Sequence, residues 1–133
     1  MLKPEAVGHG QVVGEIIERV LREGFVLARL KTRIATRELL EAHYGEHVGR
    51  PYFETLVSDM AGKVVIAIEL FGGPDAVQRL RTLIGPFREA ERVEGTIRAR
   101  YMRPGDPNNR NFVHASDSNE NAKRELALWF SED

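Results

Sequence analysis

Asn111-Phe112-Val113-His114-Ala115-Ser116-Asp117-Ser118 gathers more chemically capable side chains than any other stretch of this 133-residue chain. An imidazole is neutral near pH 7, nucleophilic and able to carry a phosphoryl group. His114 ends a short apolar run, Asn111 to Val113, that reads as a strand. It stands just before a helix start, where Asp117 and Glu120 have capping-box spacing. Backbone N–H groups at that start and the Ser116 hydroxyl would lie near phosphoryl oxygens. Glu125, two turns into the helix from Asp117, can orient the other ring nitrogen. A single histidine in a loop is, by itself, more often structural than catalytic.

The cations bear on the same chemistry. A transferred phosphoryl group spreads charge over several oxygens, which guanidinium forks and a lysine can hold. Arg81 falls late on a helical stretch, and Arg98 follows Gly95-Thr96-Ile97. Taken singly, each arginine is more often a solvated charge, and Arg37, Arg79 and Arg103 are read that way. Lys3, near a terminus, is unremarkable alone. His43 and His47 stand at i, i+4 and could pair on a metal, but no third ligand is evident and two histidines are a weak match. Tyr52 and Phe53 read as half-buried helix aromatics, on which a nucleotide base could stack. There is no Gly-x-x-x-x-Gly-Lys-Ser/Thr loop. Phosphate chemistry here must therefore use side chains from several elements.

The elements that position these groups follow from periodicity. Val13, Ile16, Ile17, Val20 and Leu21 recur at helical spacing, with Gly24 as a C-terminal cap. Phe25 to Thr32 reads as a strand with one buried face, because Val26, Ala28 and Leu30 alternate with Arg29 and Lys31. Thr36 is a good N-cap for a helix carrying Leu39, Leu40, His43 and Tyr44. Gly49-Arg50-Pro51 breaks that helix before a third, Tyr52 to Met60. Lys63 to Phe71 is apolar on both faces and reads as central. Pro74 suits the first turn of a helix running to Gly85. Residues 85–110 show little periodicity and read as a long functional loop. The last helix carries Ala122, Leu126, Trp129 and Phe130 on one stripe, with Glu125 at its flank. With one more strand at the front, this order is an α+β, ferredoxin-like split βαβ sandwich: an antiparallel sheet covered by helices.

Bulk properties leave this reading open and close others. The length suits one domain, residues 1–133. Lysine plus arginine (19) nearly balances aspartate plus glutamate (20), which argues against wholesale binding of nucleic acid or membrane. No apolar run approaches the roughly 18–20 residues that span a bilayer. The absence of cysteine is compatible with a reducing, cytoplasmic setting.

These motifs together resemble the nucleoside diphosphate kinases along nearly the whole chain. Lys3-Pro4-Glu5-Ala6 is similar to that family's start, and Gly14-Glu15-Ile16-Ile17 to its first helix. His43-Tyr44 and Arg50-Pro51-Tyr52-Phe53 resemble the paired helices that close over the base. Gly95-Thr96-Ile97-Arg98 and the octet around His114, with Glu125 behind it, resemble the family's hallmarks. The resemblance implies ping-pong transfer: a nucleoside triphosphate such as ATP, with magnesium, gives its γ-phosphoryl group to His114, which passes it to a nucleoside diphosphate. It implies that Lys3, Arg81 and Arg98 hold phosphates and that Tyr52 stacks on the base. Asn111 would contact the sugar or phosphate side, Tyr44 would steady the site, and Glu125 would orient the imidazole. Magnesium would ride on the phosphates rather than on protein ligands. A homo-oligomer, hexamer or tetramer, is implied as well, with loop 85–110 serving both site and assembly.

Three departures stand against that pattern. The family has a full strand before its lysine, whereas only Met1 and Leu2 precede Lys3, so the first strand reads as truncated. The position of a phosphate-binding threonine falls on Phe87, beside Arg88. Arg98 is followed by Ala99-Arg100-Tyr101 rather than glycine-aspartate-phenylalanine, and Glu94 stands where a proline is usual. The departures keep an alternative in view: a degenerate nucleotide-binding or regulatory relative without efficient turnover. An unrelated ferredoxin-like module binding a small ligand would leave the octet unexplained.

Overall fold

The structure, a computed structural model, describes residues 1–102 and 110–131. Arg103 lies outside them. The chain runs α1 (Pro4–Val7), α2 (Gly10–Arg22), β1 (Val26–Ile34), α3 (Arg37–His43), α4 (Phe53–Met60), β2 (Val64–Phe71), α5 (Ala76–Ile84), α6 (Ile97–Tyr101) and α7 (Asn119–Trp129), with 3-10 turns at Gly45–His47 and Glu89–Glu91.

β1 and β2 pair antiparallel, from Val26 opposite Phe71 to Ile34 opposite Val64. The sheet does not stop there. Leu2 and Ile66 exchange both backbone bonds (2.9 and 3.0 Å), and Leu2 also bridges Val113, antiparallel in each case. The order across the layer is β1, β2, Leu2, Val113. Leu2 fills the slot between β2 and the approach to His114. Lys3 is fixed there too, its N–H donating to Phe112 O (2.8 Å).

β2 explains why the layer is a sandwich. Val65 and Ala67 pack with Leu39, Leu40, Val57, Met60 and Trp129, while Ile66 packs with Leu2, Ile16, Val20, Ile84 and Phe112. Alternate residues of one apolar strand feed two cores, as the two-residue strand period dictates. Each aliphatic side chain so buried contributes roughly 1.5–3 kcal/mol.

Several expectations are corrected. β1 extends to Ile34, and the face carrying Val26 and Leu30 is not buried: these are 60% and 45% exposed. A register shift between Leu27 and Arg29 breaks the alternation, and within the described sheet β1 has a neighbour only on its β2 side. Residues 85–110 are not all loop. Thr96 accepts from the Ala99 N–H (3.3 Å) and starts α6, a helix too short for periodicity to reveal. α7 is capped by Ser118, which accepts from the Asn121 N–H (3.0 Å), rather than by Asp117. Glu125 is not at the flank of α7 but on its buried side with Trp129.

Gly85 has a physical reason to be glycine. Its φ is 85°, and a Cβ there would stand 2.6 Å from the Thr96 side chain. The end of α5 can therefore press against the start of α6, where Arg98 reaches Gly85 O (2.8 Å).

Candidate active site

His114 leaves the sheet beside Leu2. Its N–H donates to Met1 O and its carbonyl accepts from the Met1 nitrogen, both at 2.8 Å. The ring is thereby presented from the end of the central layer toward Glu125 on α7. Glu125 meets it from α7: His114 Nε2 lies 2.6 Å from Glu125 Oε1. The Ser116 hydroxyl donates to the same oxygen at 2.7 Å. Burial alone would raise the Glu125 carboxyl, but the hydrogen bonds from His114 and Ser116 outweigh it and hold it down at about 2. Burial pushes His114 below the ordinary imidazole value, against the pull of Glu125. At neutral pH the pair is an ionised carboxylate and a neutral imidazole. An ionised carboxylate only accepts, so Nε2 carries the proton and Nδ1 has the free lone pair.

A second imidazole abuts the first. The His43 and His114 rings meet edge to face with centroids 4.6 Å apart. Trp129 donates its indole N–H to His43 Nδ1 (3.0 Å). Burial first, then His114, drives the His43 pKa down to about 3. The supposed His43–His47 pair does not form, because His47 turns its Nδ1 to the Tyr52 hydroxyl (2.8 Å).

His114 opens on a cavity of about 810 Å³, walled by α3 and the following turn, α5, the 85–93 segment and the start of α7. Arg81, Arg88, Arg98 and Arg124 all line it. Arg98 is anchored: it donates to Gly85 O (2.8 Å), Asn111 Oδ1 (3.1 Å) and Val113 O (2.9 Å). Its pKa is lowered by burial and by Arg81 nearby. Among the described residues the Arg81 and Arg88 guanidinium groups have no hydrogen-bond partner, so their forks are available to a ligand. Lys3 is set back from the wall, and burial, with Arg98 close by, lowers its pKa against the pull of Glu5.

The sequence-named residues therefore divide. His114, Glu125, Arg81, Arg98 and Tyr44 line the cavity, whereas Ser116, Asn111 and Lys3 stand behind it, and Tyr52 is 46% exposed at the mouth of α4, joined through His47. The Tyr44 hydroxyl donates to Met60 Sδ (3.6 Å) rather than to His114, and burial raises its pKa to about 12. Its ring instead packs on His43 at 4.8 Å. Phe87, 47% exposed, presents an apolar ring to the cavity. Sequence reasoning missed Arg124, which donates to Ala42 O and His43 O (3.0 and 3.3 Å) and ties α7 to α3. It also missed the His43–Trp129 bond, although His43 and Trp129 each read from the sequence as helix residues.

A nucleophilic imidazole with an ionised carboxylate behind it, facing several guanidinium groups across one cavity, is the equipment of phosphoryl transfer through a histidine. A sequence model of the nucleoside diphosphate kinase family matches residues 1–133. The chain belongs to the nucleoside diphosphate kinase family. This is a family of phosphotransferases, and the α+β fold is its ferredoxin-like one. A nucleoside diphosphate kinase of Streptococcus agalactiae serotype III (strain NEM316) is 41% identical, over 98% of this chain and 95% of the relative. A cytosolic nucleoside diphosphate kinase of Dictyostelium discoideum is 43% identical over 97% of this chain and 80% of its own. The solved nucleoside diphosphate kinase of Halobacterium salinarum, in complex with CDP, superposes with a TM-score of 0.83 at 32% identity, covering 98% of this chain and 84% of that one.

The family's kinases generally use a divalent metal. His43, His114 and Glu125 place three potential ligand atoms within 4.8 Å of one another. That set, two imidazoles and one carboxylate, is wrong for a hard cation that demands oxygen ligands. The harder donors, Glu46, Glu91 and Asp117, line the cavity instead.

Proposed function

We propose that this chain is an active nucleoside diphosphate kinase that works through phospho-His114. The observation that carries the reading is the His114–Glu125 contact at 2.6 Å on the wall of an arginine-lined cavity. His114 Nδ1 attacks the γ-phosphorus of a nucleoside triphosphate, with ATP as the general donor. A P–N bond forms as the bond to the β-phosphate oxygen breaks, and the diphosphate leaves with the electron pair. No proton need move, because Nε2 keeps its hydrogen, and the Glu125 carboxylate stabilises the positive charge that develops on the ring. A nucleoside diphosphate then takes the group in the reverse of the same step.

Arg81, Arg88 and Arg98 bind phosphate oxygens, Lys3 adds positive charge from behind, and Asn111 holds the Arg98 fork. Ser116 shares Glu125 with His114 and so fixes the carboxylate rather than the phosphate. Tyr52 offers a ring to the base, and Tyr44 steadies His43 against His114. Magnesium would be carried on the phosphates and would neutralise their charge, with Glu46, Glu91 and Asp117 as hard donors on the cavity wall. The chain acts as one domain with segment 85–110 at the site and in assembly. It forms a homo-oligomer, hexamer or tetramer, which the exposed Val26, Leu30 and Ile34 of β1 favour. It works in the cytoplasm, away from membranes and nucleic acid. No described helix is long and apolar enough to cross a membrane.

Incubation with ATP and magnesium should yield an acid-labile phosphoprotein that discharges onto added diphosphate. Labelling that persists in His114→Asn would remove His114 as the carrier. A second reading, nucleotide binding without efficient turnover, draws on Phe87, whose ring lines the cavity at the position where the family pattern has a threonine. Ordinary nucleotide affinity with no exchange would favour it.

A further inference from the structure

The Trp129–His43 hydrogen bond has no part in the reaction just described, yet it stands against the nucleophile. His43 is buried, its ring edge-on to His114. A nitrogen of each imidazole and an oxygen of Glu125 lie within 4.8 Å of one another. Two imidazoles and a carboxylate are a familiar ligand set for a borderline-soft divalent ion such as Zn2+. An ion held there would occupy the nucleophile. Trp129 bears on whether it can be held.

An indole N–H is a donor and nothing else. Because Trp129 Nε1 donates to His43 Nδ1 at 3.0 Å, Nδ1 must offer its lone pair and the ring proton must sit on Nε2. A protonated nitrogen cannot ligate a metal. To free Nε2, the proton would have to move to Nδ1, which would then point an N–H at the indole N–H inside a buried contact. Both donors would be left unsatisfied, a conformation that burial penalises. Metal-ligating histidines show the opposite arrangement, donating from the second nitrogen to an acceptor behind them.

We propose that Trp129 is a positioning residue that locks His43 in the Nε2–H tautomer and so keeps the cluster around His114 from capturing transition metals. The lock leaves His114 free for phosphoryl transfer in a solution that contains such ions. Its importance rests on His114 being the nucleophile, but the lock is measured without nucleotide, so its failure and the failure of that role can be told apart.

The test has two arms. In the unmodified protein, 15N shifts of the His43 ring should show Nδ1 unprotonated and Nε2 protonated at neutral pH, unchanged by Zn2+ at concentrations equal to the protein's. The opposite tautomer, a doubly protonated ring, or a Zn2+-induced loss of the Nε2 proton would overturn the proposal. In the second arm, Trp129→Phe keeps an aromatic ring and removes the donor. Calorimetric titration with Zn2+ alone should show binding about 10–100-fold tighter than in the parent, the range by which outer partners of a metal-binding histidine change affinity. The gain should vanish in the double variant with His43→Gln. Equal Zn2+ affinity in parent and Trp129→Phe, or a gain that survives His43→Gln, would sink the idea. Where Trp129→Phe does not fold, the nitrogen shifts of the unmodified protein decide.

Discussion

The nucleophile corner and the phosphate wall of the same cavity are built on opposite plans. Around His114 the side chains are tied to one another: Glu125 accepts from His114 and Ser116, and Trp129 donates to His43. Across the cavity, Arg81 and Arg88 are exposed and Phe87 turns its ring to solvent. Groups that must hold one geometry through the reaction are ordered by the fold, whereas groups that meet charge arriving with the ligand are left to be ordered by it. Arg98 stands between the two plans, lining the cavity while three of its bonds go to Gly85, Asn111 and Val113. On the proposed function the corner would supply rate and the wall affinity.

The largest expected effect breaks the corner outright. His114→Asn should lower steady-state exchange by roughly 10⁴-fold or more, with no phosphoenzyme, because the proposed reaction has His114 as its nucleophile. Nucleotide affinity measured by calorimetry should change little. A large loss of affinity would mean that corner and wall are not separable.

Glu125→Gln is the next step down. The neutral amide cannot stabilise the charge developing on the ring, and kcat should fall about 10²–10³-fold with KM nearly constant. The pH profile sharpens the same point. Burial already places the His114 pKa below its usual value, so the free protein should keep the neutral nucleophile through neutrality. kcat/KM should decline only as pH drops beneath the ordinary imidazole range. Glu125 raises the His114 pKa, so its removal should move that acid limb to still lower pH. An acid limb moving upward would contradict the assignment.

On the wall, Arg81→Ala and Arg88→Ala should each weaken nucleotide binding about 10-fold or more, as expected for a lost charge-assisted hydrogen bond, with kcat less affected. Affinity should also become less sensitive to salt. The smallest effect is a gain. Phe87→Thr introduces a hydroxyl where only a ring faces the phosphates, and should tighten diphosphate binding about 2–10-fold, the worth of one neutral hydrogen bond. No gain would place the phosphates away from residue 87.

How much of this was legible in the sequence follows the same division. The octet and Glu125 could be read because their chemistry is local: strand end, imidazole, helix start, carboxylate. β2 could be read as central because it is apolar on both faces, and the Thr36 cap because its bond to Leu39 spans three residues. What could not be read depends on long-range pairing. Leu2 as a strand needs both Ile66 and Val113. The exposure of Val26 and Leu30 needs the register shift against β2. α6 is five residues long, too few for periodicity, although Thr96 was a local signal for its start. The Trp129–His43 bond joins residues 86 apart and leaves no mark in spacing.

The central claim is that Glu125 holds Nε2 of His114 and leaves Nδ1 to carry the phosphoryl group. Nitrogen–phosphorus coupling in the 15N-labelled phosphoprotein, formed with ATP and magnesium, tests it directly. The account predicts coupling to Nδ1 of His114, with Nε2 still protonated. Coupling to Nε2, or to any other side chain, would contradict it.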